Sequence, residues 1–123
     1  LNGTKYLIAG NHDRRALKYA PFVKQFGWVK DIFELKVFDE NAPHNKTQRI
    51  TLCHYAMRTW NHAHHGAFHL YGHSHGNLLD DPKSLAFDVG VDAQDYTPIS
   101  YNRVKEIMAN KSFEPIDHHK ADL

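Results

Sequence analysis

Three short segments of this 123-residue chain hold the side chains best suited to chemistry. They are Gly10-Asn11-His12-Asp13, Cys53-His54-Tyr55 and Gly72-His73-Ser74-His75-Gly76. In the third, two histidines stand at i and i+2 between glycines. The glycines allow a tight turn and close approach of backbone to a ligand. In an extended strand the two rings would point to opposite sides, whereas in a turn they can face two adjacent ions. The competing reading is a pair of solvated loop histidines. Asn11 offers a neutral, hard oxygen of the kind that completes a metal site, or it is an ordinary turn asparagine. His12 has the chemistry of a general acid for a leaving alkoxide. Asp13 can hold the His12 ring or cap the segment after it. His54 is an isolated histidine at a strand end. Cys53 reads as a small buried residue and not as a nucleophile, since nothing beside it would lower its pKa.

Each of these segments needs a strand to place it. Tyr6 to Ala9 is a short apolar run closed by Gly10-Asn11, and it predicts a buried strand. Arg14 to Gly27 has helical spacing at Leu17 and Ala20, with Pro21 expected to kink or divide the helix. Trp28 to Phe38 predicts one or two strands, Asp39 to Lys46 a turn, and Arg49 to Tyr55 a further strand. Ala56 to His65 has no sustained period and reads as irregular loop or short helix. Ala67 to Tyr71 and Ser84 to Val91 predict two more strands. Ser100 is placed to cap a helix over Tyr101 to Ala109, with Val104, Ile107 and Met108 as its buried stripe. Residues 1–110 thus read as part of one α/β domain, and 111–123 as a poorly ordered tail. His12, His54, His73 and His75 all fall at predicted strand ends, where open α/β sheets build their sites.

Composition agrees with a metal-binding reading. Eleven histidines in 123 residues, scattered and not in a tag-like run, raise the expectation of metal ligation. A net charge of +1 argues against a dedicated nucleic-acid-binding surface. No apolar run approaches the roughly 18–20 residues of a membrane span. The single cysteine excludes an internal disulfide and fits a reducing, cytoplasmic setting. His62, His64 and His65 read either as a loop rimming a phosphate site or as a solvated loop, the second being favoured, and Arg58 and Trp60 either as substrate contacts or, by preference, as surface and packing residues. His44, His69, His118 and His119 carry no assignment.

Taken in order, G-N-H-D, an isolated His after a strand, and G-H-S-H resemble the later motifs of the calcineurin-like metallophosphoesterases, in particular their small bacterial and phage members. Asp88-Val89-Gly90-Val91 is also similar to that superfamily. The resemblance implies a four-layer α/β/β/α sandwich, of which this chain supplies the part after the N-terminal strands. It implies that Asn11, His54 and His73 bind one divalent ion and His75 the other, the ions being manganese, zinc or iron. His12 would be the catalytic histidine, supported by Asp13. Two such ions, roughly 3.5–4 Å apart, clamp a phosphate and activate water. The implied activity is hydrolysis of phosphomonoesters or phosphodiesters, with nucleotides and nucleic acid inside that substrate class. The oligomeric state is not implied.

The family also carries upstream D-x-H and G-D motifs, which supply an Asp and a His to one ion and an Asp that bridges both. Asp31, Asp39 and Asp88 stand in the wrong contexts to replace them. The sequence therefore reads as an N-terminally truncated portion, expected to bind metal weakly and not to turn over alone. The alternative is a non-catalytic, histidine-rich metal-binding protein, which would need neither Asn11 nor His12.

Overall fold

The computed structural model describes residues 3–117. It is a small mixed α/β domain with two sheets and few helices. Strands β1 (Leu7–Ile8) and β2 (Val29–Lys30) form a two-stranded parallel sheet. Strands β3 (Ile32–Phe38), β4 (Thr47–Cys53), β5 (Phe68–Tyr71) and β6 (Ala86–Asp88) form a second sheet in that order. β3 and β4 are antiparallel, while β4, β5 and β6 run parallel. Rings join the two sheets: Trp28 lies 5.0 Å from Tyr6 and 4.6 Å from Phe33 between ring centres.

The stretch between β1 and β2 is divided, as Pro21 leads one to expect, but it holds less helix than the Arg14 to Gly27 span suggests. It holds a 3₁₀ turn at Ala16–Lys18 and a one-turn helix, α1, at Ala20–Val23. Tyr19 between them is extended. Pro21 explains the division. It has no N–H to donate, so it is accepted only in the first turn of a helix, and there it sits. The Trp28 to Phe38 segment resolves into two strands, β2 and β3. The strand expected over Ser84 to Val91 keeps only its Ala86–Asp88 portion. Beyond it the Asp88 carboxylate accepts the Gly90 N–H at 2.8 Å, which turns the chain out of the sheet.

α2 (Tyr101–Ala109) matches the expected span. The Ser100 hydroxyl accepts the Arg103 N–H at 3.1 Å, so the helix has the side-chain cap that its exposed N-terminal amides need. Val104 and Met108 are buried, four residues apart on one face, while Ile107 is only half-buried. They join Ile50, Phe68 and Leu85 in the core. Tyr101 and Lys105 both reach the Asp39 carboxylate, at 2.7 and 3.0 Å, tying the helix to the end of β3. The Tyr101 hydroxyl, with Lys105 next, holds Asp39 down at about 2, firmly ionised. Residues 111–114 lie along the segment before β6, and Asp117 accepts the Thr59 hydroxyl. Ser112 and Glu114 donate backbone bonds to Pro82 and Lys83, and the Lys111 ammonium binds Asp80 and the Ala86 carbonyl. The rest of the expected tail, with His118 and His119, lies outside the described residues.

The parallel arrangement matters for the site. Because β4, β5 and β6 point the same way, their C-terminal ends share one edge of the sheet. His54, the Gly72–Gly76 loop and the Val89–Asp92 segment all leave from that edge.

Candidate metal centre

At that edge three side chains converge on one point. His54 Nε2 lies 2.8 Å from Asn11 Oδ1 and 3.1 Å from His73 Nδ1. His73 Nδ1 lies 3.3 Å from Asn11 Oδ1. The three donor atoms thus form a closed triangle. Hydrogen bonding cannot satisfy all three edges with neutral rings. The Asn11 oxygen only accepts, so each edge to it requires a proton on the facing histidine nitrogen. With both nitrogens protonated, the His54–His73 edge sets two donors face to face. With His73 bare, its edge to Asn11 sets two lone pairs face to face. A cation at the centre removes the conflict. Donors about 2.0–2.1 Å from one ion stand roughly 2.9–3.4 Å apart in tetrahedral or octahedral geometry. The three observed edges fall in or next to that interval, so these residues fit a metal ion.

Local structure explains the convergence. Gly10 lies flat against the His54 ring: a Cβ built on it would stand 2.8 Å from ring atoms. The Gly10-to-Asp13 turn is closed from within, as the Asp13 carboxylate accepts the Gly10 N–H at 2.7 Å and the Asp13 N–H bonds the Gly10 carbonyl. Asp13 therefore braces the turn that presents Asn11. His73 and His75 both adopt left-handed backbone, with φ of +63° and +51°. Non-glycine residues rarely hold that conformation without support, and its concentration in two neighbouring histidines is the kind of strain that accompanies sites. Gly72 donates to the His54 carbonyl, which fastens the G-H-S-H loop to the end of β4. Tyr55 packs its ring 4.7 Å from that of His73.

Burial is the largest influence on His54 and lowers its pKa, and the nearby His73 pushes in the same direction. Asp13 opposes them, and His12 and His75 add smaller contributions that lower it further. The ring is thereby kept neutral, the form that can ligate.

His75 is placed differently. Its Nδ1 makes a short contact with an Asp92 carboxylate oxygen, leaving Nε2 as its outward donor. A carboxylate on the far nitrogen of a metal-binding histidine fixes tautomer and ring orientation and raises basicity. Asp92 was not among the residues singled out from sequence. Its signal is the D-V-G-V-D run, which places it two residues past Gly90. Asp88 in the same run holds the loop together: its two oxygens accept the Gly76 and Gly90 N–H groups. His12 is exposed beside Asn11. Asp39 and Asp88 are committed elsewhere, as described. Among the described residues no group of three or more His, Cys, Asp or Glu side chains gathers around a metal-sized space, so the trio is two histidines and an amide without a carboxylate.

The site predicts its own sensitivity at Gly10. A methyl group there must displace the His54 ring. Gly10→Ala is expected to weaken metal uptake while all three donor residues remain, and isothermal titration with Zn²⁺ checks it.

Among the described residues no helix is long and apolar enough to cross a membrane. No family model, curated protein or solved structure matches the chain.

Proposed function

We propose that this chain carries one half of a two-metal phosphoesterase centre of the calcineurin-like type. The observation that supports it is the closed triangle of Asn11 Oδ1, His54 Nε2 and His73 Nδ1, assembled from three separate loops. Those are the three residues that the resemblance assigns to one ion. His75, two residues beyond His73 in the turn and oriented by Asp92, is the donor for the second ion. When bound, the ions polarise the phosphate oxygens and lower the pKa of water.

The residues of this chain then divide the remaining work. Asn11, His54 and His73 fix the position of the first ion. Asp13 braces the turn beneath Asn11. His12, exposed at the same turn, contacts the phosphate and donates a proton to the leaving alkoxide. The overall reaction is in-line hydrolysis of a phosphomonoester or phosphodiester, nucleotide and nucleic-acid esters included. The remaining ligands, an Asp and a His to one ion and an Asp that bridges both, would come from the D-x-H and G-D motifs and not from the trio or His75. The full architecture of this reading is the four-layer α/β/β/α sandwich, with the four-stranded sheet and α2 as one of its halves.

The alternative is a non-catalytic, histidine-rich metal-binding protein. The two readings separate at Asn11 and His12. For the phosphoesterase, Asn11→Ala weakens Mn²⁺ and Zn²⁺ binding, while His12→Ala spares it and abolishes phosphodiester hydrolysis in a protein that includes the D-x-H and G-D segments. Unchanged metal affinity in Asn11→Ala, or full hydrolysis in His12→Ala, rules the phosphoesterase out.

A further inference from the structure

A second cluster of histidines stands at the opposite end of the same sheet. A groove of about 720 Å³ opens there between β3, the turn leading into β4, and the loop before β5. Its charged and aromatic lining is Lys36, His44, Arg49, His62 and His65; Asn45, Thr47 and Gln48 add neutral polar groups, and no carboxylate lines it. Arg49 precedes His54 by five residues, which on an extended strand is roughly 16 Å. The groove is therefore separate from the trio.

Lys36 and Arg49 are the telling pair. They are direct cross-strand partners in the β3–β4 ladder, so their side chains leave the same face side by side. Like charges directly opposite one another destabilise a sheet. Among the described residues neither side chain makes an ion pair that would relieve the repulsion. Glu34, two residues along β3, sits opposite Thr51 and does not line the groove. The protein thus keeps two adjacent cations facing an open space, and an anion is the partner that would stabilise them.

The remaining wall says what else the anion carries. The His65 ring lies 5.9 Å from that of His44 and 6.0 Å from that of His62. His62 is held there in left-handed backbone, φ +61°, and the turn that follows it closes at Gly66, φ +91°. The Gly66 carbonyl accepts the Gln48 amide, locking that turn to β4. These rings do not close on a metal-sized space. They instead form a set of flat faces beside the two cations. The volume falls within the range of small-molecule sites, roughly 300–1,000 Å³, and exceeds what a bare phosphate fills.

We propose that this groove binds an organic phosphate with a flat ring. Its phosphate lies on Lys36 and Arg49, and its ring lies against His44, His62 and His65.

The test uses the whole chain after metal removal, so that its outcome is independent of the trio. Adenosine monophosphate is the probe, with adenosine and inorganic phosphate as controls, followed by amide NMR shifts. The expected result is saturable shifts at Lys36, Arg49 and Gly66 with adenosine monophosphate, weaker binding of inorganic phosphate, and none of adenosine. Lys36→Glu and Arg49→Gln each weaken the affinity at least about 10-fold, the scale of a charge-assisted hydrogen bond. Lys36→Glu also raises the thermal midpoint, because it converts a repulsive cross-strand pair into an attractive one. That rise separates lost binding from lost folding. The proposal is overturned if adenosine monophosphate shifts no groove residue, if adenosine or inorganic phosphate binds equally well, or if Lys36→Glu binds as the unaltered chain does.

Discussion

His54→Ala is expected to remove specific metal uptake from this chain. His54 Nε2 is the vertex shared by the two shortest edges of the donor triangle, 2.8 Å to Asn11 and 3.1 Å to His73. Its loss leaves one imidazole and one amide, and a neutral amide oxygen is a weak ligand unless stronger donors have already fixed the ion. Removing an outer-shell partner of a metal ligand costs roughly 10–100-fold in affinity. Removing an inner donor from a set of three should exceed that range. Isothermal titration with Zn²⁺ or Mn²⁺ measures it. The proper comparison is His62→Ala, which alters a histidine at the other end of the sheet and should leave that affinity unchanged. Equal losses from the two substitutions would mean that the histidines take up metal without a defined site.

The second large effect falls on stability and comes from His69. This residue has no solvent exposure and lies in the middle of β5. Its Nδ1–H donates to the Thr51 carbonyl at 2.9 Å, and its Nε2 accepts the Met57 N–H at 3.0 Å. The ring thus ties the irregular segment after β4 to the sheet as a neutral tautomer. It also packs against Trp60, whose indole N–H is itself satisfied by the Ala67 carbonyl at 2.9 Å. His69→Ala would open a cavity and take the side-chain partner from the part-buried Met57 amide and the buried Thr51 carbonyl. Together these cost about 3–5 kcal/mol, a large share of the roughly 5–15 kcal/mol that stabilises a typical domain. Urea unfolding, read as a lowered midpoint at unchanged slope, tests the figure. A loss below about 1 kcal/mol would mean that this network is not what holds the segment.

His69 also sets a pH dependence. Burial lowers its pKa from the ordinary 6.5, with the Thr51 carbonyl opposing. Well above 6.5 the ring is neutral in both folded and unfolded chains, and its contribution is complete. As pH falls below 6.5 the unfolded chain takes up the proton first, so stability is lost progressively toward the depressed folded value. His54, lowered by burial, has the same sign. Unfolding free energy should therefore decline as pH falls through about 6.5, and His69→Gln should flatten the decline.

What could be read from sequence follows the reach of the forces involved. α2 was legible to the residue because its cap and its i, i+4 apolar pair are local. The ends of β4 and β5 were legible within two residues, and with them the positions of His54 and His73. In the Arg14 to Gly27 segment the division at Pro21 was legible, but the extent of helix was not: only Ala16–Lys18 and Ala20–Val23 are helical. Asp92 was passed over although it ends the D-V-G-V-D run, because its contact is with His75, 17 residues earlier. His69 looked like any strand histidine, since its two backbone partners lie 12 and 18 residues away. The like-charge pair Lys36 and Arg49 depends on register across a hairpin, which periodicity alone does not supply. For the trio, sequence could name the residues but not which ring nitrogens meet.

That last detail gives the most direct test. An ion held by the trio is bound by His54 through Nε2 and by His73 through Nδ1, on opposite nitrogens of the ring. Long-range ¹H–¹⁵N spectra of the histidine rings, recorded during addition of Zn²⁺, distinguish the two. The predicted result is that the first resonances to move are Nε2 of His54 and Nδ1 of His73, together with the Asn11 side-chain amide. Movement beginning instead at His44, His62, His64 or His65, or in all rings alike, would contradict the existence of this metal centre.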